Sequence, residues 1–252
     1  MARVRPVSSS HLTVVTGGTR GIGAAIARRL AQAGHTLVLG YARDDDAAYA
    51  LRDELTSTTD VTVVRSDVTT DDGVEALFAA AAELGTLTGL VNNAGATLHL
   101  GPLASTPTET IRRVVDLNLT AALLCARRAV IAFDQAGVAG TVVNISSGAA
   151  TTGSPGDYVH YAAAKAGVDA LTLGLAKEVA GRGIRVVGIA PGTIETRIHA
   201  DAGDPARAAR VAERIPMGRA GLPDDIAPAV AWMLSDEASY VTGSTLRIAG
   251  GL

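Results

Sequence analysis

Cysteine, aromatic side chains and net charge are all scarce in this sequence of 252 residues. The single cysteine, Cys125, excludes an intramolecular disulfide and a thiolate cluster, and no His, Asp and Glu spacing suggests a metal site. A net charge of −3 provides no basic surface for nucleic acid or for an anionic membrane. No apolar run has the roughly 18 residues that a membrane helix needs, and no signal-peptide pattern follows the start. We therefore expect a cytoplasmic protein whose ligands are small molecules.

What the sequence has in quantity is small and aliphatic side chains. Hydrophobic residues make up 48% of the chain, with 28 glycines and only 3% aromatics, which favours a parallel sheet wrapped by helices over a β-sandwich. From residue 11 onward, short β-branched runs alternate with Ala-rich stretches of helical period, the pattern of repeated βαβ units. The predicted strands are 12–16, 36–40, 61–65, 87–91, 140–146, 184–190 and 244–250.

The prediction is therefore an α/β protein with one domain over residues 11–252, preceded by a flexible N-terminus at 1–10. Helices are predicted in stretches such as 21–34, 71–85, 108–130, 161–183 and 223–236. Residues 192–222 mix a helical pattern with Gly and Pro after a strand end, and we interpret them as a mobile flap over a site.

A glycine-rich turn follows the first predicted strand. Gly17, Gly21 and Gly23 punctuate the sequence TGGTRGIG, where backbone N–H groups and a helix N-terminus can receive a pyrophosphate. The spacing is GxxxGxG and departs from the usual dinucleotide fingerprint. Its position in the first βα unit is what favours a dinucleotide site over a plain tight turn.

The residues at the end of the second predicted strand indicate whether the cofactor is NAD or NADP. An NAD site places an acidic residue there for the ribose hydroxyls, but this sequence reads Tyr41-Ala42-Arg43 before Asp44. Arg20 and Arg43 are suited to flank a 2′-phosphate, so NADP is preferred. The alternative is that both arginines are solvated and that Asp44 receives the ribose of NAD.

Polar residues at later strand ends and one helical pair complete the candidate site. Asp67 follows the third strand, Asn93-Ala94-Gly95 the fourth, and Ser146 and Ser147 the fifth. Tyr161 and Lys165 are four residues apart and share one helix face, where an ammonium would lower the pKa of the phenol. Asn118 interrupts an otherwise apolar helical stretch.

These motifs, in this order along the chain, resemble the short-chain dehydrogenase/reductases over nearly the whole sequence. The resemblance implies a Rossmann-like three-layer sandwich with a seven-stranded parallel sheet, usually assembled as a homotetramer. It also implies that Tyr161 is the acid/base, that Lys165 lowers its pKa and holds the nicotinamide ribose, and that Asn118 anchors a proton relay. Ser147 would orient the substrate oxygen, although it lies 14 residues before Tyr161, one more than the commonest spacing, which leaves Ser146 as an alternative.

The same resemblance implies a nicotinamide clamp in the segment that begins at Pro191-Gly192. The expected cofactor-binding residues are Gly17, Thr19, Arg20, Gly21, Ile22, Gly23, Tyr41, Arg43, Asp67, Val68, Asn93, Ala94, Gly95, Tyr161, Lys165, Pro191, Gly192, Ile194 and Thr196.

The reaction expected from the resemblance is hydride transfer between NADP(H) and a carbonyl or alcohol, with a 3-oxoacyl thioester or similar ketone as the expected substrate. A sugar or polyol dehydrogenase using either cofactor is the enzymatic alternative. A dinucleotide-binding sensor or interaction subunit without turnover is the alternative from another class. Several arginines, Arg207, Arg210, Arg214 and Arg219, are interpreted as solvated faces or subunit contacts, with recognition of an acidic substrate as a further possibility.

Overall fold

A computed structural model describes residues 11–252, so the predicted flexible N-terminus, residues 1–10, lies outside the described part. Seven strands form one sheet in which every neighbouring pair is parallel. The strands are β1 Leu12–Val15, β2 Thr36–Tyr41, β3 Val61–Arg65, β4 Leu87–Asn92, β5 Thr141–Ile145, β6 Arg185–Pro191 and β7 Thr245–Ile248. Each falls on a predicted strand and ends within two residues of the predicted end, which confirms the predicted fold class.

Helices connect the strands and cover both faces of the sheet. They are α1 Gly21–Gln32, α2 Asp45–Leu55, α3 Asp71–Leu84, α4 Thr108–Val115, α5 Ala121–Ala136, α6 Ala149–Thr152, α7 Val159–Val179, α8 Arg207–Ala212 and α9 Pro223–Leu234. Helix α2 was not among the predicted stretches. Asp44 begins it by accepting a hydrogen bond from the Ala47 N–H at 3.1 Å.

Two apolar clusters lie on opposite faces of the sheet. Buried residues of α1, α2 and α9 pack on one face, where Ile26, Leu30 and Ile226 contact Val15 and Leu39. Buried residues of α3, α5 and α7 pack on the other. The alternation of side chains along each strand supplies both layers at once, because successive residues point to opposite faces. The result is the three-layer arrangement that the sequence predicted.

The order of the strands determines where a ligand can bind. The sheet runs β3-β2-β1-β4-β5-β6-β7, so the chain moves outward from β1 to β3 and then returns to the other side of β1. The loops after β1 and β4 diverge at this reversal and leave a crevice at the carboxyl ends of the strands.

The predicted continuous helix over 108–130 is interrupted in the structure. Residues Asp116–Thr120 form a π-helical turn between α4 and α5, in which the Ala121 N–H donates to the Asp116 carbonyl. One extra residue in this turn rotates the residues that follow it relative to those before it. Asn118 lies at its centre and is buried.

Candidate active site

A large open cleft lies at the carboxyl ends of the strands, with a volume of about 1500 Å³. Its walls come from the loops after β1 to β6 and from the predicted flap, residues 192–222. All expected site residues line this cleft except Val68 and Asn118. The Val68 side chain is buried in the apolar cluster of α3 and α5, and Asn118 is buried in the π-helical turn.

The glycine turn holds the N-terminus of α1 open to the cleft. Gly17 has a φ of 61°, and a Cβ on Gly23 would lie 2.1 Å from the Gly17 carbonyl oxygen, so side chains are excluded at both positions. Helix α1 begins at Gly21 with no side-chain cap and no acidic residue in its first turn. Its free N–H groups and dipole suit a pyrophosphate. The backbone geometry therefore fits a dinucleotide.

Asn93 fixes the glycine turn from the neighbouring strand end. Its side-chain Nδ2 donates to the carbonyls of Thr16 at 3.0 Å and Gly17 at 2.9 Å. The backbone N–H groups of Asn93 and Ala94 both donate to the Thr16 hydroxyl at 3.0 Å. These bonds join the loops after β1 and β4 into one rigid floor for the cleft.

Arg20 and Arg43, the two arginines expected to bind a 2′-phosphate near the end of β2, differ in their surroundings. Arg20 forms an ion pair with Asp44, with 3.2 Å between Nη1 and Oδ2. Arg43 is exposed, lines the cleft and has no ion pair within residues 11–252. Asp44 also caps α2, so its carboxylate is committed to protein partners. The cationic side chain that remains free at this end of the cleft is Arg43.

Helix α7 places Tyr161 and Lys165 on the cleft wall, and both are buried. Lys165 is 4% exposed; its ammonium donates to the Ile145 carbonyl at 2.8 Å and lies 5.7 Å from the centre of the Tyr161 ring. Burial lowers the pKa of Lys165 to about 8, with Asp169 acting in the opposite direction.

The pKa of Tyr161 moves in the direction opposite to the one expected from the sequence. Burial raises it, and the nearby Ser147 side chain only partly offsets the rise. The reason is that the phenolate loses water on burial, whereas the Lys165 ammonium is engaged with a backbone carbonyl rather than with the phenol oxygen. In this structure Tyr161 is a neutral phenol at neutral pH.

The two serines at the end of β5 occupy different environments. Ser146 is buried, and its hydroxyl donates to the Lys165 carbonyl at 3.3 Å. Ser147 is partly exposed, influences the pKa of Tyr161, and accepts a hydrogen bond from the Ala149 N–H at 3.1 Å. Of the two hydroxyls, that of Ser147 is the one placed beside the phenol.

Asn118 lies behind this wall with one polar atom unsatisfied. Its Nδ2 donates to the carbonyls of Ala96 at 2.8 Å and Val114 at 2.9 Å. Its Oδ1 is buried and has no hydrogen-bond partner among residues 11–252. A Cβ on Gly95 would lie 2.6 Å from this oxygen, so the glycine keeps the space next to it clear. A buried acceptor of this kind suits a bound water or another donor.

The segment that follows β6 lines the cleft and passes close to the glycine turn. The Gly192 N–H donates to the Ile248 carbonyl at 2.8 Å, and Ile194 is buried in a bridge with Gly221. A Cβ on Gly21 would lie 3.4 Å from the Thr196 methyl group. Of the expected clamp residues, Thr196 therefore lies next to the expected phosphate-binding turn.

Several cleft residues were not identified from the sequence. Tyr158 meets the Tyr161 ring edge to face, with 5.4 Å between ring centres. Arg207 was interpreted as a solvated or subunit-contact residue, yet its side chain is only 11% exposed and pairs with Asp157. No local spacing joins Arg207 to Asp157, 50 residues earlier, and only the folding of the flap over the cleft brings them together.

Two residues that line the cleft have a strained backbone. Leu98 and Ser154 are the two non-glycine residues with positive φ in the described chain, at 58° and 45°, and both line the cleft. The His99 N–H donates to the Thr97 carbonyl at 2.7 Å and closes a tight turn around Leu98. Such conformations are uncommon outside functional sites.

Within residues 11–252, no three His, Cys, Asp or Glu side chains come together as a candidate metal site. Among the helices of the same residues, none combines the length and the apolar character needed to cross a membrane.

Comparison with known sequences gives full-length matches. A family model described as Enoyl-(Acyl carrier protein) reductase matches residues 17–252. Uncharacterized oxidoreductase YgfF of Escherichia coli is 43% identical over 244 residues, which cover 95% of this chain and 99% of that protein. 3beta-hydroxysteroid dehydrogenase 1 of Eggerthella lenta is 41% identical over 245 residues, covering 95% and 92% of the two chains.

Solved structures match equally completely. A short-chain type dehydrogenase/reductase from Mycobacterium marinum has a TM-score of 0.90 at 30% identity and covers 96% of this chain and 95% of its own. A 3-ketoacyl-(acyl-carrier-protein) reductase from Brucella melitensis, complexed with NADH, has a TM-score of 0.88 at 30% identity. The match covers 96% of this chain and 97% of that one.

Proposed function

Because this chain belongs to the short-chain dehydrogenase/reductase family, we propose that it reduces a ketone to an alcohol with NADPH, by means of Tyr161, Ser147, Lys165 and Asn118. The observation that carries the proposal is that Tyr161, Ser147 and Lys165 line the same cleft, with Asn118 buried behind them next to Gly95. Chance surface placement does not bury a tyrosine and a lysine side by side.

Each side chain has a role that its surroundings support. Tyr161 is held as a neutral phenol, which is the form that donates a proton to a developing alkoxide. Ser147 hydrogen-bonds the substrate oxygen at the same place. Lys165 supplies a positive charge that stabilises charge on the phenol oxygen as the proton leaves, and Asn118 holds a water that restores it. The bound nicotinamide dinucleotide supplies the hydride.

The cleft residues fit that cofactor. The glycine turn and the N-terminus of α1 would hold the pyrophosphate, and the segment from Pro191 to Thr196 would hold the nicotinamide end. The preference for NADP rests on Arg43, which lines the cleft without an ion pair in the described chain, and on Asp44, which is engaged by Arg20. The NADH in the Brucella structure belongs to that protein and makes NAD the alternative to test.

We propose a substrate class and, within it, a more specific substrate. A ketone or alcohol fits the proton donor at the cleft wall, and a 3-oxoacyl thioester is supported by the name of the Brucella neighbour. The steroid named for the Eggerthella relative shows how far substrates diverge on this fold. We also propose a homotetramer, because two surfaces of the chain expose large apolar side chains. The cytoplasmic location stays a prediction from the sequence.

Replacing Tyr161 by Phe tests the chemistry directly. Tyr161→Phe removes the proton donor and keeps the ring, so turnover of any reducible ketone should fall about 10²- to 10⁴-fold. The affinity for NADPH, measured by fluorescence titration, should stay within about twofold, since no phosphate contact is lost. Tyr240→Phe is the matched control because Tyr240 is fully exposed. Unchanged turnover in Tyr161→Phe would rule out the mechanism.

A further inference from the structure

Arg207, on helix α8 of the flap, lies in the wall of the cleft instead of in solvent. Its Nη2 donates to the Asp157 carboxylate at 2.8 Å and to the Tyr158 hydroxyl at 3.3 Å. The guanidinium also stacks on the Tyr158 ring, with 4.9 Å from Cζ to the ring centre. An arginine that is 89% buried by its own chain is costly unless its charge has partners.

Arg207 is close to the proposed site of reaction. Tyr158 lies between the two, because its ring contacts the guanidinium on one side and meets the Tyr161 ring at 5.4 Å. Arg207, Tyr158 and Tyr161 all line the same cleft. Along this wall of the cleft, Tyr158 is therefore the side chain that separates Arg207 from Tyr161.

Two buried nitrogens at this end of the cleft have no partner. Arg207 Nε and His199 Nδ1 are both buried and make no hydrogen bond within residues 11–252. His199 is 8% exposed and lines the cleft. Burial and the nearby Arg207 charge lower the pKa of His199 to about 4, so it is a neutral imidazole at neutral pH. Leaving such groups unsatisfied is unfavourable, so this polar wall of the cleft, formed by Arg207 and His199, is not explained by contacts within the described chain.

The lining of the cleft as a whole carries more positive than negative side chains. Arg113 and Arg214 line the cleft without ion pairs in the described part of the chain, as does Asp116. Asp201 lines it too, but pairs with Arg197 at 3.7 Å. Asp157 offers a single carboxylate to Arg207, which uses one of its nitrogens for that contact. The surroundings therefore suit an anion better than a neutral group.

We propose that Arg207, assisted by His199, binds a carboxylate of the substrate, so that the enzyme prefers oxo acids to neutral ketones. The proposal rests on the proposed reductase function and, among the ketones that this function allows, favours a free oxo acid over the 3-oxoacyl thioester, whose carboxyl group is esterified. The planar guanidinium is held against Tyr158, and its Nη1 makes no hydrogen bond within residues 11–252 and is not among the buried unpaired atoms, so it is the nitrogen that a carboxylate in the cleft can reach.

The substrate preference is tested with matched acids and esters. 3-Oxobutanoate, 4-oxopentanoate and 5-oxohexanoate are compared with their methyl esters, with NADPH and NADH as reductants. The best acid should exceed its ester in kcat/KM by about tenfold or more, because a charge-assisted hydrogen bond is lost in the ester. Arg207→Gln should raise KM for the acid about 10- to 100-fold and leave the ester unaffected. Arg219→Gln is the flap control, since Arg219 pairs with Asp225 outside the cleft.

Asp157→Asn separates anion binding from a purely structural role. If Arg207 serves only to fasten the flap to Asp157, both variants break the same contact and should lose activity alike toward acids and esters. If Arg207 binds the substrate, Asp157→Asn frees its charge, and the KM for the acid should stay the same or fall. Parallel losses in both variants, or equal use of acid and ester by the unaltered enzyme, would overturn the proposal.

A binding measurement keeps the inference testable without turnover. Pentanoate and pentanamide are titrated calorimetrically into the protein saturated with NADP. Tighter binding of pentanoate that disappears in Arg207→Gln supports the carboxylate site, and equal binding of the two refutes it. Failure of every ketone to react, with pentanoate still bound through Arg207, would contradict the reductase function alone.

Discussion

At the scale of single residues, the cofactor preference depends on which charges near the end of β2 are already neutralised. Asp44 caps α2 and pairs with Arg20, so neither side chain is fully available to a ligand. Arg43 is exposed at the cleft and unpaired within residues 11–252. A phosphate on the adenosine ribose would meet that cation, whereas a bare ribose would gain little from it.

Replacing Arg43 by Asp should therefore reverse the cofactor preference. Arg43→Asp is expected to weaken NADPH binding by about 10- to 100-fold, through loss of a charge-assisted contact and through repulsion, and to leave or improve NADH binding. Fluorescence titration with both cofactors measures the ratio. Arg65→Asp makes the same charge change nearby, at a residue outside the cleft, and should alter neither affinity. An unaltered ratio in Arg43→Asp would remove the phosphate role from this residue.

The pKa of Tyr161 shows what sequence spacing alone leaves out. The spacing of Tyr161 and Lys165 placed both on one helix, as in the structure, whereas burial raises the pKa of Tyr161 and the spacing gave no sign of that burial. The four-residue spacing fixes neighbours along a helix, whereas the pKa depends on burial by other elements and on where the ammonium donates its hydrogen bonds. Those contacts come from β5 and the loop after it, and the sequence around Tyr161 does not indicate them.

At the scale of elements, the π-helical turn is the feature that ties helix geometry to the site. Asn118 Nδ2 bonds the Val114 carbonyl four residues earlier and the Ala96 carbonyl in the loop after β4. These two bonds satisfy carbonyls that the widened turn and the loop leave open, and π-turns are frequently found at functional sites. The turn thereby directs Asn118 toward the Lys165 side of the cleft wall, next to Gly95.

Replacing Asn118 by Ala should lower both stability and activity. Asn118→Ala removes two buried donors, and we expect the free energy of unfolding to fall by about 1–3 kcal/mol, measured by urea denaturation. Turnover should fall as well, because the buried acceptor of the proposed proton path is lost. Thr120→Ala is the control, since Thr120 lies in the same turn without a side-chain hydrogen bond to the described chain. Loss of stability with full turnover would limit Asn118 to a structural role.

Elements with strong local signals were the ones predicted correctly. The runs LTVV and VTVVR are β-branched and short, and both are strands as predicted. Helix α2 was missed because its sequence is dominated by charged residues, and Asp44, which caps it, was considered only as a ribose ligand. Arg207 is paired with Asp157, which lies 50 residues earlier in the chain. The local pattern of residues in the sequence does not predict a contact between such distant residues.

At the scale of the whole molecule, two surfaces expose apolar side chains that a lone chain would leave in water. Helices α5 and α7 expose Leu123 and Leu173, the latter at 47%. Helix α9 and strand β7 expose Trp232, at 38%, and Leu246. The two surfaces belong to different elements, and the exposed edge of β7 extends the second. In the proposed homotetramer, each surface would contact its copy in another subunit, which gives two kinds of interface.

Charged substitutions on the two surfaces should therefore separate the subunits stepwise. Leu173→Glu and Trp232→Glu should each yield dimers, because each buries a carboxylate in one contact and leaves the other intact, and the double variant should be monomeric. Light scattering coupled to size-exclusion chromatography gives the mass of each species. Leu84→Glu, at the exposed end of α3, should remain a tetramer like the unaltered protein. If both single variants keep the mass of the unaltered protein, its subunit contacts lie elsewhere, since a buried carboxylate on either surface cannot be accommodated without cost.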